Sequence, residues 1–306
     1  SQPQQCQLVE DKAPKYNPAI ENIRGGSKLL QNQAVCPFNA FAIHRLKAEP
    51  LEEPVQGLSP LDRGSLIHEI LYRLWTQWQS STFLNSLSTE QVSEQLESTI
   101  ADTLTEWAPK HSVLQGNRFR ALEQQRLHSL LSEWIEEERL RQPFEVQNLE
   151  SDASIRFGDL NISLRLDRVD QVGDKLLIID YKTGQVKPSK WDGPRPIEPQ
   201  LPLYLLASKP QANGCAFAQL RAGDIKLIGN SDSELLNGEK PADNWPAQID
   251  EWQSALANLA AEFTEGYASV EVYDNTSFGY QEHLLPLNRW PEEPEINALV
   301  HKKVGL

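Results

Sequence analysis

The sequence has 306 residues, of which 39% are hydrophobic and 24% charged, the composition of a globular protein with one large or two small domains. A formal net charge of −14 opposes nonspecific attraction to polyanions, so any surface for nucleic acid must be local. No apolar run is long enough for a membrane span, and no hydrophobic signal region opens the sequence. The three cysteines, Cys6, Cys36 and Cys215, are widely spaced and odd in number, which argues against a disulfide framework. We therefore expect a cytoplasmic, reducing location.

Periodicity and turn residues predict the following elements in chain order. Residues 1–26 are polar, contain three prolines and are expected to form a linker or lead-in. The further predicted elements are a short helix within Leu29–Lys47, helices over Pro60–Gln79, Thr89–Trp107 and Arg118–Leu140, strands over Phe144–Phe157, Ile162–Val172 and Lys175–Tyr181, a helix over Ile197–Ala207, strands over Ala216–Arg221 and Ile225–Gly229, and a helix over Pro246–Tyr267. From Ala268 onward we expect irregular structure.

The helix start near residue 60 is clearly signalled. Ser59 suits a helix cap, Pro60 suits the first helical position, and Asp62 stands three residues after the cap. The helix is predicted to bury an apolar stripe at helical spacing, formed by Ile67, Ile70, Leu71 and Leu74. His68 lies at the edge of this stripe, and Gly64, one turn earlier, leaves space for a neighbouring element. The helix can therefore direct an imidazole toward the sheet.

Two strand-like runs meet at the turn-prone pair Gly173-Asp174 and predict a β-hairpin. Asp167 lies in the first run, Asp180 ends the second, and Lys182 follows two residues later. Alternate residues of a strand share a face, so Asp180 and Lys182 point the same way and the hairpin can bring Asp167 alongside them. Two carboxylates and a lysine at one sheet edge can hold a divalent cation and activate a water molecule.

Each of these residues also has a purely structural interpretation. His68 could be a core-margin histidine bonded to a backbone group, and Asp167 could pair with Arg165 or Arg168 on the surface. The segment around Asp180 could simply be a strand that runs into a turn. The apolar residues just before Asp180 disfavour that alternative, because a buried strand rarely ends in Asp and Lys on one face without a partner.

Four short motifs occur in the order seen in RecB-type nucleases of the PD-(D/E)XK superfamily, which the chain resembles from about Leu29 to Arg289. The motifs are Gly64-Ser-Leu-Ile-His68, Leu166-Asp167-Arg168-Val169-Asp170, Ile179-Asp180-Tyr181-Lys182-Thr183-Gly184 and Gln200-Leu-Pro-Leu-Tyr204. Each motif alone is a weak signal for the family. The four motifs together, in this order and on suitable helices and strands, are a specific one. The chain looks most like the C-terminal nuclease domain of AddB-like helicase-nuclease subunits and like bacterial probable DNA repair proteins.

This resemblance implies a three-layer α/β fold of the restriction-endonuclease type, with a mixed central sheet flanked by helices. Residues 27–306 would form the nuclease domain, with an additional helical insertion over about residues 80–142. The resemblance also implies that the domain is the C-terminal part of a longer helicase-like protein. Its partners would be DNA and a helicase-like region or subunit, with no membrane.

The resemblance also implies roles for individual residues. His68, Asp167 and Asp180 would bind Mg²⁺ or Mn²⁺, with the backbone carbonyl of Tyr181 as a further ligand. Lys182 would orient the attacking water and offset the negative charge that grows on the phosphoryl group. Two further residues, Gln200 and Tyr204, would hold the active-site face or touch the DNA backbone, although a tyrosine on such a helix is usually a packing residue.

The loop between the hairpin and the next helix is locally basic. Lys187, Lys190 and Arg195 surround Trp191, with Asp192 as the one acid among them. The basic residues could track phosphates while the indole stacks on a base. An exposed loop with scattered lysines explains the same pattern equally well.

The sequence departs from AddB-like domains in its cysteines. Many of those domains hold an iron–sulfur cluster with one early cysteine and three near the end; Cys36 matches the first, but Gly279, Glu282 and Asn288 stand at the other three positions. A cluster needs its thiolates, so none is expected here. Packing would instead hold the C-terminal strap, with Phe278, Tyr280 and Trp290 as its candidates.

The function that follows from the resemblance is divalent-metal-dependent hydrolysis of DNA, as an exonuclease in repair or recombination. The alternative is a catalytically silent nuclease fold that binds DNA ends or a helicase partner, which the acidic net charge would suit. A hydrolase of small phosphate esters is disfavoured, because the sequence has no compact glycine-rich phosphate loop.

Overall fold

The structure is a computed structural model that describes residues 12–51, 55–187 and 190–288. Its α-helices are α1 (Ser27–Val35), α2 (Pro37–Ala40), α3 (Pro60–Trp78), α4 (Ser81–Ser86), α5 (Thr89–Trp107), α6 (Asn117–Arg139), α7 (Gln200–Ala207), α8 (Trp245–Thr264), α9 (Asn275–Phe278) and α10 (Leu285–Asn288). Its strands are β1 (Glu145–Phe157), β2 (Leu160–Val172), β3 (Lys175–Lys182), β4 (Gly214–Gln219) and β5 (Lys226–Ser231). In the described ranges, no helix is both long and apolar enough to cross a membrane.

Helices α3, α5 and α8 each begin where a side chain accepts a hydrogen bond from a free backbone N–H group. The Ser59 hydroxyl accepts a hydrogen bond from the Asp62 N–H at 3.0 Å, and the Asp62 carboxylate accepts one from the Ser59 N–H at 3.3 Å. This reciprocal capping box confirms the helix start predicted near residue 60. Ser88 and Gln91 form the same box at the start of α5.

The five strands form one mixed sheet in the order β1-β2-β3-β4-β5. The pairs β1/β2, β2/β3 and β4/β5 are antiparallel, whereas β3 and β4 are parallel and are joined through α7. Gly173 at the β2–β3 turn has φ +62°, a conformation that glycine adopts without strain, and the predicted hairpin is confirmed. Helices cover both faces of the sheet, which confirms the α/β class expected of a restriction-endonuclease-like fold.

Two apolar cores lie on opposite faces of β3, because alternate residues of a strand point to opposite sides. Leu177, Ile179 and Tyr181 pack with α3, α5 and α6 in a first core, which is lined by four large aromatic side chains: Trp75, Trp78, Trp134 and Phe144. Ile178 packs with α1, α7 and α8 in a second core. Helices α4 to α6, expected as an insertion, thus pack on α3 and share its core.

Three predicted segments differ from what the structure contains. The described part of the expected linker, residues 12–26, is bonded to the end of α8: the Ala13 N–H donates to the Gly266 carbonyl and the Tyr16 N–H to the Thr264 carbonyl, both at 2.7 Å. The single helix expected within Leu29–Lys47 is interrupted at residue 36, because a residue before proline is held extended.

The third difference is the C-terminal segment, which was expected to be irregular from Ala268. It contains the short helices α9 and α10, and Phe278 is buried against Val35 and Cys36. A local apolar contact therefore holds this segment on the start of the domain. Trp290 and the side chain of Tyr280, the other two candidates for the strap, lie outside the described residues.

Candidate functional site

Helix α3 and strands β2 and β3 meet at a cluster of polar groups. His68 on α3 places Nε2 3.0 Å from the Tyr181 carbonyl oxygen on β3 and Nδ1 3.4 Å from Asp167 Oδ2 on β2. The Tyr181 N–H donates to the same Asp167 oxygen at 2.9 Å. An imidazole, a carboxylate and a backbone carbonyl that lie far apart in the sequence are thus in direct contact.

The second half of the cluster lies on β3 and α7. Asp180 is only 1% exposed, and Lys182 Nζ lies 3.0 Å from its Oδ2. Gln200 links the two side chains, because its Nε2 donates to Asp180 Oδ1 at 2.7 Å and its Oε1 accepts from Lys182 Nζ at 2.6 Å. Gln200 Nε2 also donates to the Tyr204 hydroxyl at 2.7 Å. Gln200 therefore fixes the acid relative to the lysine, and Tyr204 supports Gln200.

Burial and charge shift the pKa values of both key titrating groups. Burial alone would lower the pKa of His68, but the hydrogen bond and charge of Asp167, with the charge of Asp180, outweigh it and raise the pKa to about 9. Burial and then the charge of Asp167 raise the pKa of Asp180 to about 7, although Lys182 opposes the shift. Without a bound cation, His68 at neutral pH is therefore an imidazolium whose two N–H groups face the Tyr181 carbonyl and Asp167, and it would have to release a proton to bind a metal.

These pKa shifts predict that the free energy of unfolding of the metal-free protein, kept so by a chelator, falls as pH rises from 6 to 9. The His68 pKa is raised above its unfolded value of 6.5, so its contribution is complete below pH 6.5 and is lost as pH rises through about 9. Thermal melts of the wild type and His68→Gln at pH 6, 7.5 and 9 measure this. The stability difference between the two proteins should shrink toward pH 9; a difference that stays constant or grows would contradict the charge assigned to His68.

The donor set fits a hard divalent cation. Asp167 and Asp180 are both buried, and two neighbouring carboxylates need compensating positive charge. Asp180 Oδ2 forms an ion pair with Lys182 Nζ at 3.0 Å, so the lysine supplies part of that charge. Carboxylate and carbonyl oxygens with one imidazole are suitable ligands, and His68, Asp167, Asp180 and the Tyr181 carbonyl would hold the ion.

Glu150 on β1 also belongs to this cluster and was not among the residues predicted from the sequence. Ligand atoms of His68, Glu150 and Asp167 all lie within 4.8 Å of one another. The signal that could have found it is the turn-prone pair Gly158-Asp159, which joins two strand-like runs. Pairing Phe157 with Leu160 across that turn and counting back puts Glu150 opposite Asp167.

The cluster opens into a cleft beside α3. The lining residues include Gly64, His68, Tyr72, Glu150, Arg165 and Lys182. A second cleft, lined by Lys28, Gln31, Gln185 and Gln200, lies against the other side of Lys182. The space predicted at Gly64 does not serve close packing, because a Cβ there would meet nothing within 4 Å. Lys182 is thus reachable from two clefts.

The basic loop differs from its prediction. The Trp191 ring is fully buried and contacts Phe217 edge to face, so the expectation that it stacks on a base is wrong. Arg195 pairs with Glu262 at 2.7 Å and donates to the Gln33 carbonyl at 2.6 Å, which makes it a clamp between α1 and α8.

Two lysines complete this loop. Lys190 Nζ lies 2.9 Å from Asp274 Oδ2 and is half-buried. Lys187 is exposed and lines a cleft that also contains Lys28 and Gly184. Of the four side chains predicted to contact DNA here, Lys187 is the one whose surroundings suit that role.

Two cysteines lie among the described residues, and both are buried. Burial raises the pKa of the Cys36 thiol, and it raises the pKa of Cys215 to about 12. Neither thiol is therefore disposed to form a thiolate at neutral pH.

Comparison with known proteins agrees with this geometry. The model of the PD-(D/E)XK nuclease superfamily matches residues 29–277, which include every residue of the cluster. No curated protein matches the chain significantly. A solved structure described as the crystal structure of SSO0001 shares 14% sequence identity and covers 83% of this chain and 91% of its own, but its TM-score of 0.28 is too low to support the fold assignment. On the match over residues 29–277, the chain belongs to the PD-(D/E)XK nuclease superfamily.

Proposed function

We propose that this protein is a divalent-metal-dependent nuclease that hydrolyses DNA phosphodiester bonds. The observation that carries the proposal is the contact between Asp180 and Lys182 beside Asp167 and His68, at the edge of an open cleft. In a member of a nuclease superfamily, this combination has the ligands for a cation and a positive charge for the phosphate.

The chain's own residues have distinct tasks in this reaction. His68, Asp167, Asp180 and the Tyr181 carbonyl hold the metal, and a bound Mg²⁺ or Mn²⁺ supplies Lewis-acid polarisation of the phosphate and a more acidic water molecule. Lys182 offsets the negative charge that develops on the phosphoryl oxygens. Gln200 keeps the ammonium group of Lys182 beside Asp180.

The finer identity also belongs to this proposal. The order of the four motifs favours a RecB-type, AddB-like nuclease that acts as an exonuclease in repair or recombination with a helicase-like partner. Lys187 and Lys28, which line the cleft beyond Gly184, would contact DNA phosphates. Because the chain carries a net charge of −14, such a local basic site is where a polyanion would be accommodated.

A cleavage assay tests the proposal. Purified protein is mixed with labelled linear and closed circular DNA, single- and double-stranded, with Mg²⁺, Mn²⁺ or chelator. We expect linear DNA to be degraded when metal is present, and closed circular DNA to stay intact. Lys182→Met should slow cleavage about 10²- to 10³-fold, because one group that stabilises the transition-state charge is removed. Lys226→Met, an exposed lysine on β5, is the matched control and should cleave as the wild type does.

The acidic net charge favours a second candidate, a catalytically silent nuclease fold that binds DNA ends or a helicase partner. The same assay separates the two functions. Wild-type protein that binds DNA ends but leaves every substrate intact with either metal would support the silent module and overturn the nuclease.

A further inference from the structure

We propose that Glu150 is a further ligand of the cation and that it exchanges an ion pair with Arg165 for the metal. The inference rests on the proposed function, because it adds a side chain to the same centre. Ligand atoms of His68, Glu150 and Asp167 lie within 4.8 Å of one another. Opposite oxygens around Mg²⁺ are about 4.2 Å apart, twice the metal–oxygen distance, so a small movement brings Glu150 into one coordination sphere with the other two.

The register of β1 and β2 accounts for this proximity. Pairs on either side, Leu149 with Arg168 and Ser151 with Leu166, place Glu150 opposite Asp167. Residues directly opposite in an antiparallel pair project to the same face. The carboxylate of Glu150 is therefore directed to the side of the sheet on which the Asp167 carboxylate lies.

The backbone at Glu150 is unusual. Its φ is +46°, and among the described non-glycine residues with positive φ it is the one inside a strand; Gln79 caps α3 and Lys47 follows a helical turn. Residues other than glycine rarely adopt this backbone conformation. It persists where the surrounding structure imposes it, often at functional sites.

Near Glu150 and Asp167, the side chains of β1 and β2 switch from one face of the sheet to the other. On β1, Leu149 packs on the first core and Ala153 on the second. On β2, Leu166 packs in the second core and Val172 in the first. Two residues separated by an even number of positions would point to the same face of a regular strand. The left-handed residue therefore marks a local reversal of side-chain direction that turns a carboxylate toward the site.

Asp180 adds a third buried or half-buried carboxylate beside Glu150 and Asp167. Its side chain is 2% exposed, and its Oδ2 lies 3.0 Å from Lys182 Nζ. The charge of Asp167 acts on both Asp180 and Glu150, so three acidic groups share one region with His68 and Lys182. With His68 as a neutral metal ligand and Arg165 displaced, these three carboxylates would face Lys182 alone, and a divalent ion would neutralise the remaining charge.

The present partner of Glu150 is weakly held. Arg165 Nε lies 2.6 Å from Glu150 Oε2, but the arginine side chain is 66% exposed and the pair is at the cleft. Exposed ion pairs contribute little stability, so a divalent cation can take the carboxylate from Arg165. The released guanidinium would stand at the cleft edge, where its planar donors suit a phosphate group.

Titration calorimetry with Mn²⁺ on the intact protein, without DNA, tests this exchange. Glu150→Gln should weaken Mn²⁺ binding at least about 10-fold, because a charged ligand is lost. Arg165→Met should tighten it several-fold, because the competitor for Glu150 is removed. The double variant E150Q/R165M should bind as weakly as E150Q. Glu145→Gln, which replaces an exposed acid of the same strand that lies opposite Gln171, controls for long-range charge and should bind as the wild type does.

Equal affinity of E150Q and wild type, or a gain from R165M that persists in the E150Q background, would overturn the exchange. If circular dichroism shows that E150Q is unfolded, R165M alone decides: tighter binding supports the inference and unchanged binding overturns it. A wild type that binds no Mn²⁺ would instead overturn the proposed function itself, together with this inference.

Discussion

Replacing Asp180 with asparagine is expected to abolish cleavage while stabilising the fold in a metal chelator. The carboxylate is a proposed cation ligand, and losing a Lewis-acid centre removes several kcal/mol of transition-state stabilisation, which corresponds to a rate reduction of about 10³-fold or more. The isosteric amide keeps an oxygen that can accept the hydrogen bond from Gln200. The variant therefore removes charge with little change of shape.

The stabilising effect follows from the raised pKa of Asp180. Burial and the charge of Asp167 raise the pKa to about 7, so the cost of ionising Asp180 in the folded protein is absent below pH 3.8 and complete above pH 7. At pH 8 asparagine avoids this cost, and the free energy of unfolding in chelator should rise by about 1–3 kcal/mol.

Cleavage rates and urea unfolding at pH 8 measure both effects. Asp174→Asn, in the exposed β2–β3 turn, is the matched control and should change neither. An Asp180→Asn variant that cleaves at the wild-type rate would remove Asp180 from the active site. A variant that is less stable than wild type in chelator would show that Asp180 is not strained by its neighbours.

Replacing Arg168 with methionine is expected to cost about 3–5 kcal/mol of stability, because it breaks a buried ion-pair network. Arg168 is fully buried: its guanidinium donates to Asp170 at 2.6 and 2.8 Å and to Glu138 at 2.6 Å, and it stacks on Trp75 at 3.9 Å. Arg141 pairs with the same two acids and would remain as their one partner in the network.

The network lies directly beneath the candidate site. Arg168 also contacts the Tyr181 hydroxyl at 3.3 Å, and Tyr181 stands between Asp180 and Lys182 on β3. Urea unfolding of Arg168→Met measures the loss, and Arg156→Met, an exposed arginine on β1, should stay within about 0.5 kcal/mol of wild type. An Arg168→Met protein as stable as wild type would mean that desolvation cancels the network's attraction.

Local chemistry made much of the fold predictable from the sequence. The Ser59 cap and Pro60 fixed the start of α3, and the turn at Gly173-Asp174 fixed the register that brings Asp167 near Asp180. These signals act between residues close in the chain. Contacts between distant segments were foreseen only where the order of the motifs implied them, as for His68 beside Tyr181.

Other features depend on tertiary contacts that no local pattern encodes. The loop carrying Trp191 and Arg195 appears basic and exposed in sequence, but the indole fills the second core and the guanidinium binds Glu262. The left-handed backbone at Glu150 arises where two long strands exchange cores, and glutamate has no propensity that would indicate it. The role of Gln200 as a link between Asp180 and Lys182 likewise appears only in three dimensions.

The most direct test of the account is the anomalous difference density of crystals grown with Mn²⁺. We predict a peak within coordination distance of His68, Asp167 and Asp180 and in contact with the Tyr181 carbonyl, and no such peak in crystals of Asp180→Asn. Wild-type crystals saturated with Mn²⁺ that show no density there, or density only at other surface carboxylates, would contradict a catalytic metal centre in this protein.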